Sequence, residues 1–200
     1  MAEGGNSAYR GVRDLPPLVS AAVDLATRAG FDNSCAPEQG RLLSVLARGR
    51  AGGRVGETGT GCGVGLAWMV DATDPATTFV SIEVDEGRAA ASAGLFASHP
   101  QVRVLQGDWT GLAEHGPFDL LVLDGGGKGK DPVADAPLDP AAGWLAVGGL
   151  IVLDDFIPAG EPGAAEHDAA RQHWLDHPAL KATELRLTAT LATIVGLRVR

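Results

Sequence analysis

Cysteine and long apolar segments are scarce in this chain. Its 200 residues include only Cys35 and Cys62, and Cys62 lies in a glycine-rich stretch where a disulfide would obstruct binding. We therefore expect two free thiols in a reducing cytoplasm. No apolar run reaches the roughly 18 residues of a membrane span. Residues 1–14 also lack the apolar region of a secretory signal. These absences argue against a disulfide scaffold and against a membrane protein.

Basic residues are also few, with 16 Lys and Arg against 25 Asp and Glu and a net charge of −9. An acidic surface repels phosphate backbones, so nucleic acid is a disfavoured partner, although a local basic patch stays open. The composition is 45% hydrophobic and 20% charged, as in ordinary globular proteins. A chain of this length fits one domain with a full core, so residues 1–200 are predicted as a single domain.

Alternating helix and strand patterns predict an α/β fold. We expect a flexible tail over residues 1–13, two helices within residues 14–50 and an α/β core over residues 51–200. The core segments fall into two groups. Strands are predicted from residue 54 up to the glycine-rich stretch, and at 77–84, 102–106, 118–123, 149–153, 183–187 and 191–199. Helices are predicted from residue 66 to 71, and at 86–97, 131–147 and 164–176. The result is a doubly wound, mostly parallel seven-stranded sheet that ends in an antiparallel hairpin.

The most informative stretch is a glycine-rich loop between a predicted strand and a predicted helix. Glu57 precedes glycines at positions 59, 61, 63 and 65. Glycine permits positive φ and close approach to a ligand, and such a loop directs backbone N–H groups at what binds there. A flexible turn with no ligand is the simpler alternative.

The glycine spacing distinguishes two kinds of cofactor. A nicotinamide-binding loop has the pattern Gly-x-Gly-x-x-Gly, but the sixth positions here are Val64, Leu66 and Trp68. The pattern present is Glu-x-Gly-x-Gly-x-Gly. An acid before the loop suits a ligand with a positively charged amino group better than a pyrophosphate.

Carboxylates follow the carboxyl ends of the predicted parallel strands. In doubly wound sheets ligands bind at that edge, so these acids are predicted to form one rim. They are Glu57, Glu83, Asp108, Asp124, Asp154 and Asp155.

Five segments together resemble the class I S-adenosylmethionine-dependent methyltransferases. They are Glu57–Gly63, Ile82–Asp85, Gly107–Trp109, Phe118–Asp124 and Gly148–Asp155. More closely, residues 37–199 are similar to the catechol and caffeoyl-CoA O-methyltransferases. The resemblance implies a Rossmann-like methyltransferase fold and methyl transfer to a hydroxyl of a small molecule.

The resemblance also implies how the cofactor S-adenosylmethionine is bound. Glu57 and the loop backbone would bind its methionine part, and the loop residues concerned are Gly59, Thr60, Gly61 and Gly63. Glu83 would take the ribose hydroxyls through two carboxylate oxygens. Asp108 would accept from the adenine amino group, Trp109 would stack near the ring, and Asp124 would also border the cofactor.

Asp124, Asp154 and Asp155 correspond to the metal ligands of the resembled family. Their hard oxygens suit Mg²⁺ or Ca²⁺, which would bind two vicinal substrate oxygens and lower the pKa of the attacking hydroxyl. Asp155 replaces an amide of the family, and could instead be a helix cap or an acid–base residue. Glycines 125–127 separate Asp124 from Lys128, the first candidate for the general base or a substrate anchor. A solvated loop lysine is the alternative.

Other readings stay open at this point. His173 and His177 have the spacing of a zinc pair, but a solvated helix face explains them equally simply. Ser34 and Cys35 lie where the resembled family closes over cofactor and acceptor. A nitrogen or RNA-base acceptor, a nicotinamide oxidoreductase and a non-catalytic cofactor-binding module are alternative functions. A homodimer is compatible with the apolar first helix and last strands.

Overall fold

The computed structural model describes residues 5–131, 135–165 and 168–200. Five helices and seven strands carry the fold. The helices are α1 (Pro17–Arg28), α2 (Pro37–Arg48), α3 (Val64–Ala72), α4 (Glu86–Leu95) and α5 (Ala169–Leu175). The strands are β1 (Arg54–Thr58), β2 (Thr78–Glu83), β3 (Val102–Gln106), β4 (Phe118–Leu123), β5 (Leu145–Phe156), β6 (Leu180–Arg186) and β7 (Ala192–Arg198). Within this described part, no helix is both long and apolar enough to cross a membrane.

All seven strands form one sheet in the order β3-β2-β1-β4-β5-β7-β6. Strands β1 to β5 are parallel, whereas β7 pairs antiparallel with both β5 and β6. The predicted doubly wound sheet with a terminal antiparallel hairpin is therefore confirmed. The chain order reverses beside β1, so the ends of β1 and β4 border a crevice where ligands bind in such sheets.

The sheet is covered on both faces, as the apolar runs of its central strands require. One core cluster contains residues of α1, α2 and α3 packed on residues such as Val55 and Leu120. The other contains Trp174 of α5 packed on residues such as Leu121 and Ile151. Alternate residues of β4 thus face opposite cores, which fixes its register and the direction of the side chain that follows it.

The predicted helix over residues 131–147 is wrong. The structure has one irregular helical turn at Pro140–Trp144, and β5 already begins at Leu145. Pro137 and Pro140 lack backbone N–H groups and disfavour helical geometry in the residue before them. Residues 132–134 of that prediction lie outside the described residues. The predicted helix at 164–176 is shorter, because Asp168 caps α5 by accepting from the Arg171 backbone N–H at 2.9 Å; residues 166 and 167 are again outside the described part.

The expected N-terminal tail packs on the core over its described part. Ser7–Tyr9 form a short 3₁₀ helix, and Tyr9 is only 6% exposed. The Tyr9 hydroxyl accepts a hydrogen bond from Trp68 Nε1 at 2.9 Å and donates one to the Cys35 carbonyl at 2.8 Å. This hydroxyl therefore links the N-terminal segment to α3 and to the loop before α2.

Replacing Tyr9 with Phe should destabilise the protein by about 1–3 kcal/mol, because the buried Trp68 N–H loses its acceptor. Urea unfolding followed by tryptophan fluorescence measures the change. Thr27→Val is the control, since it removes an exposed hydrogen bond to the Val23 carbonyl and should change stability by less than about 0.5 kcal/mol. Equal stability of Tyr9→Phe and the wild type would show that the N-terminal contact contributes nothing.

Candidate functional site

The glycine loop after β1 is bound to the neighbouring strand β2. The N–H groups of Gly59 and Thr60 both donate to the Ile82 carbonyl, at 2.8 and 3.2 Å. Gly61 and Gly63 have φ values of 54° and 82°, which side chains with a Cβ rarely adopt. The loop therefore turns directly from the end of β1 into α3.

A second glycine segment, Gly125–Gly127, packs against this loop. A Cβ on Gly59 would lie 2.4 Å from the Gly125 nitrogen, and one on Gly126 would lie 2.1 Å from the Trp109 ring. Gly125 N–H and Asp124 N–H donate to the Thr58 carbonyl at 2.6 and 3.0 Å. The triple glycine thus allows two backbone segments and an indole ring to approach closely.

A cavity of about 350 Å³ opens beside the glycine loop at the carboxyl edge of the sheet. All the residues predicted for the cofactor line it except Glu57 and Gly63. Those that line it are Gly59, Thr60, Gly61, Glu83, Asp108, Trp109 and Asp124. Asp155 lines it too, so the cavity extends from the loop to the acids near the end of β5.

Glu83 is buried at the cavity wall and already accepts several hydrogen bonds. Its Oε2 accepts from Gly61 N–H at 2.7 Å. Its Oε1 accepts from Asp85 N–H at 3.0 Å and from Arg88 at 2.8 and 3.2 Å. A carboxylate oxygen has two lone pairs, so Oε1 is saturated and only Oε2 has capacity for a further donor.

Asp108 and Trp109 line the cavity next to Glu83, since Gly107 N–H donates to the Glu83 carbonyl at 2.9 Å. Asp108 Oδ1 accepts from both the backbone N–H and the hydroxyl of Thr110, at 3.0 and 2.5 Å. These bonds favour the ionised form and lower the Asp108 pKa. The Trp109 ring is half-buried and lies 5.8 Å from the Trp144 ring, centroid to centroid. One face of this aromatic pair is therefore available to the cavity.

Glu57 lies behind the loop rather than in the cavity wall. Its Oε2 accepts from the Ser81 hydroxyl at 2.5 Å, and Ser81 Oγ is 2.5 Å from Thr60 Oγ1. Because Ser81 donates its one proton to Glu57, the Thr60 hydroxyl donates to Ser81. Burial raises the Glu57 pKa to about 8, although the Ser81 hydrogen bond opposes the shift. In this structure Glu57 therefore contacts the loop from behind, through Ser81 and Thr60.

Asp124, Asp154 and Asp155 come together, with one oxygen of each within 4.8 Å of the others. Among the described residues, this acid trio is the one group of three or more metal-binding side chains that meets. Burial and the neighbouring Asp154 raise the Asp124 pKa well above its ordinary value. Asp155 has a φ of 63°, which turns its side chain away from the regular strand direction. The arrangement concentrates negative charge at one point.

Lys128 lies against the acid trio and is only 4% exposed. Its Nζ is 2.9 Å from Asp154 Oδ1 and 4.0 Å from Asp124 Oδ1. Burial alone would lower the Lys128 pKa, but the two carboxylates outweigh it and raise that pKa. Trp174 Nε1 donates to the Lys128 carbonyl at 2.8 Å. The lysine is therefore a fixed, charged group and not a solvated loop residue.

Three features of the site lack a clear signal in the sequence. Arg88 follows Glu83 by five residues and pairs with it, while its guanidinium lies 5.1 Å from the Phe31 ring centroid. Phe31 itself lies against Gly61 and lines the cavity. Lys130 Nζ donates to the Asp155 carbonyl at 2.6 Å, and burial together with Lys128 lowers its pKa to about 8. Contacts in the folded chain, and not sequence patterns, define these positions.

The remaining candidate residues from the sequence differ in whether they lie at the cavity. The rings of His173 and His177 are 5.3 Å apart, yet within the described ranges they belong to no group of three metal-binding side chains. Burial and His177 lower the His173 pKa. Ser34 and Cys35 line the main cavity, as their position before α2 predicted. Cys35 and Cys62 are both free thiols.

Known proteins that resemble this chain in sequence, and others that resemble it in fold, are named as methyltransferases. Residues 57–156 match the profile of the methyltransferase-domain family. A protein of Mycobacterium sp. (strain JLS), provisionally named an O-methyltransferase, is 32% identical over 188 residues, which cover 88% of this chain and 82% of the relative.

Two crystal structures show the same fold at low identity. The O-methyltransferase TomG from Streptomyces achromogenes, in complex with S-adenosylmethionine, has a TM-score of 0.73 at 19% identity and covers 98% of this chain and 96% of its own. A Staphylococcus aureus protein provisionally named a caffeoyl-CoA O-methyltransferase has a TM-score of 0.69 at 13% identity, covering 90% and 91%. On the profile match and the mycobacterial relative, this chain belongs to the methyltransferase-domain family, in the group of class I S-adenosylmethionine-dependent O-methyltransferases.

Proposed function

We propose that this protein transfers a methyl group from S-adenosylmethionine to a hydroxyl of a small molecule, with a divalent cation at Asp124, Asp154 and Asp155. One observation carries the proposal. A single cavity borders both the glycine loop with Glu83 and two members of the acid trio, Asp124 and Asp155. A cofactor on the loop and an acceptor at the acids would therefore meet in one space, which supplies the proximity that methyl transfer needs.

The cavity residues fit an adenosine and an amino-acid end. Glu83 Oε2 is free to accept one ribose hydroxyl, because Oε1 is saturated by Arg88 and Asp85. Asp108 Oδ2 would accept from an adenine amino group, with Trp109 beside the ring. Glu57 would support the loop through Ser81 and Thr60 and so position the backbone of Gly59, Gly61 and Gly63. When bound, the cofactor supplies a methyl group on a sulfonium.

The acid trio fits a hard divalent cation such as Mg²⁺. Its donor atoms are all oxygens, and three carboxylates meet beside the one ammonium of Lys128, which leaves room for further positive charge. A bound cation lowers the pKa of a hydroxyl that it contacts. Lys128 is held charged, so of its two expected roles we propose the anchor: its ammonium would orient Asp154 and attract an acceptor oxygen.

The acceptor would approach from beyond Asp155. A separate cavity of about 470 Å³ begins at this residue and is lined in part by Phe156 and Ile157. Its size and partly apolar lining support a small, partly apolar acceptor. The two free thiols support a reducing cytoplasm as the location. A homodimer and the lack of a nucleic-acid partner stay predictions from the sequence.

Glu83→Ala should weaken binding of S-adenosylhomocysteine at least about 10-fold, because a charge-assisted hydrogen bond is worth about 1.5–3 kcal/mol. Isothermal titration calorimetry measures the dissociation constant. Glu86→Ala, three residues later and exposed in the first turn of α4, should bind like the wild type. Unchanged binding by Glu83→Ala would refute the ribose assignment.

Activity should disappear on addition of EDTA and return with Mg²⁺. Asp124→Asn should lower Mg²⁺ affinity at least about 10-fold, since even outer-shell changes have effects of that size. Methylation of catechol-type acceptors with radiolabelled cofactor is the measurement. The control is Asp119→Asn at the opposite end of β4, where the carboxylate only accepts from Arg54 N–H. If activity persists in EDTA and in Asp124→Asn, the metal is dispensable while the methyltransferase assignment stands.

The stability of the ligand-free protein should fall as pH rises from about 4.3, the ordinary Glu pKa, towards 8. In that interval the folded state binds a proton on Glu57 that the unfolded state has released, so rising pH favours unfolding. Glu57→Gln should make this dependence shallower, leaving the share due to the raised Asp124 pKa, and raise the Tm at pH 7 by about 5 °C or more, with little change near pH 4.5. Differential scanning calorimetry tests it; parallel pH profiles for both proteins would contradict the buried acid as the cause.

A further inference from the structure

A second, much smaller cavity adjoins the acid trio on the side of α2. Its volume of about 10 Å³ accommodates one group the size of a water molecule. The trio and the segment that leads into α2 provide its walls. The lining residues are Asn33, Ser34, Cys35, Ala36, Gln39, Asp124, Asp154, Asp155 and Leu191. Lys128 is not among them, although its Nζ contacts Asp154.

Gln39 presents an unpaired amide oxygen among these residues. The side chain is 1% exposed, and its Oε1 has no hydrogen-bond partner. The orientation of the amide follows from its neighbour Thr193. Thr193 donates its one hydroxyl proton to the Leu153 carbonyl at 2.7 Å, so towards Gln39 it can only accept. Nε2 therefore faces Thr193, at 3.5 Å, and Oε1 is the atom left for a ligand.

The chemistry of the lining selects the occupant. A buried carbonyl oxygen with no partner costs about 1–3 kcal/mol, so this oxygen requires a donor or a cation. The three carboxylates beside it also act as acceptors. The Cys35 thiol is directed at the Ala36 carbonyl, at 3.4 Å. A cavity of this size bordered by three carboxylates and the Gln39 amide oxygen suits a cation, whose positive charge a neutral water lacks. Asn33 and Ser34 also line it, and the Ser34 hydroxyl has no hydrogen-bond partner among the described residues.

We propose that Gln39 Oε1 belongs to the oxygen shell of the divalent cation, as an uncharged protein oxygen beside the three carboxylates. Amide oxygens are ordinary partners of hard cations. The inference rests on the cation site of the proposed function and adds a residue from α2 to it. Because Asp154 and Asp155 lie on β5 and Gln39 on α2, the cation would tie the N-terminal helices to the sheet.

Mn²⁺ binding to the full-length protein with S-adenosylhomocysteine tests this inference, with free Mn²⁺ measured by electron paramagnetic resonance. Gln39→Leu should weaken Mn²⁺ binding about 10- to 100-fold. Gln39→Glu, which keeps an oxygen at the same place, should bind within a few-fold of the wild type or more tightly. Gln172→Leu is the matched control, because this exposed glutamine of α5 lines neither of the two cavities.

Each outcome has a defined meaning. Wild-type affinity in Gln39→Leu overturns the inference and leaves the acid trio as the cation site. Equal weakening in Gln39→Leu and Gln39→Glu also overturns it, because it indicates a packing role. No Mn²⁺ binding by the wild type overturns both this inference and the metal part of the proposed function, whereas retained binding of S-adenosylhomocysteine would keep the methyltransferase assignment.

Discussion

The close approach of two glycine segments is the constraint on which the site depends. Gly59 and Gly125 lie so near each other that a Cβ on either would come within 3 Å of the other's backbone. This approach, with the hydrogen bonds from residues 124 and 125 to the Thr58 carbonyl, joins the ends of β1 and β4. The cofactor loop and Asp124 are therefore positioned by the same backbone contact. Any side chain at these positions would separate the loop from the acids.

Charge is the second determinant of the site. Three carboxylates meet at one point, and Lys128 is buried beside them as a direct ionic partner of Asp154. Burial and Asp154 raise the Asp124 pKa, whereas Lys128 outweighs burial at Asp154 and lowers its pKa. The Glu57 pKa is also raised, and there burial rather than a neighbouring acid is the main cause. Such unfavourable burial of acids is typical of sites that bind charged ligands.

Most of the sheet and much of the cavity were predictable from local patterns. A nearly continuous apolar run located β4, the glycine-rich stretch located β1, and an acid at each strand end located Glu83, Asp108 and Asp124 at one edge. The prediction failed where prolines interrupt an otherwise helical pattern, at 131–147, and it underestimated β5 at both ends. Local periodicity does not report a strand that is extended by pairing with distant partners.

The sequence by itself determined the order of strands and helices, the loop geometry and the acids available at the sheet edge, because those depend on spacing and on glycine. Only the tertiary structure decided which atoms are free. Arg88 saturates one oxygen of Glu83, Ser81 places Glu57 behind the loop, and Thr193 leaves Gln39 Oε1 unpaired. The Ser81 and Thr193 bonds join residues far apart in the chain, and the Arg88 bond depends on how α4 folds back on the end of β2. A linear pattern contains no information about how such bonds are shared.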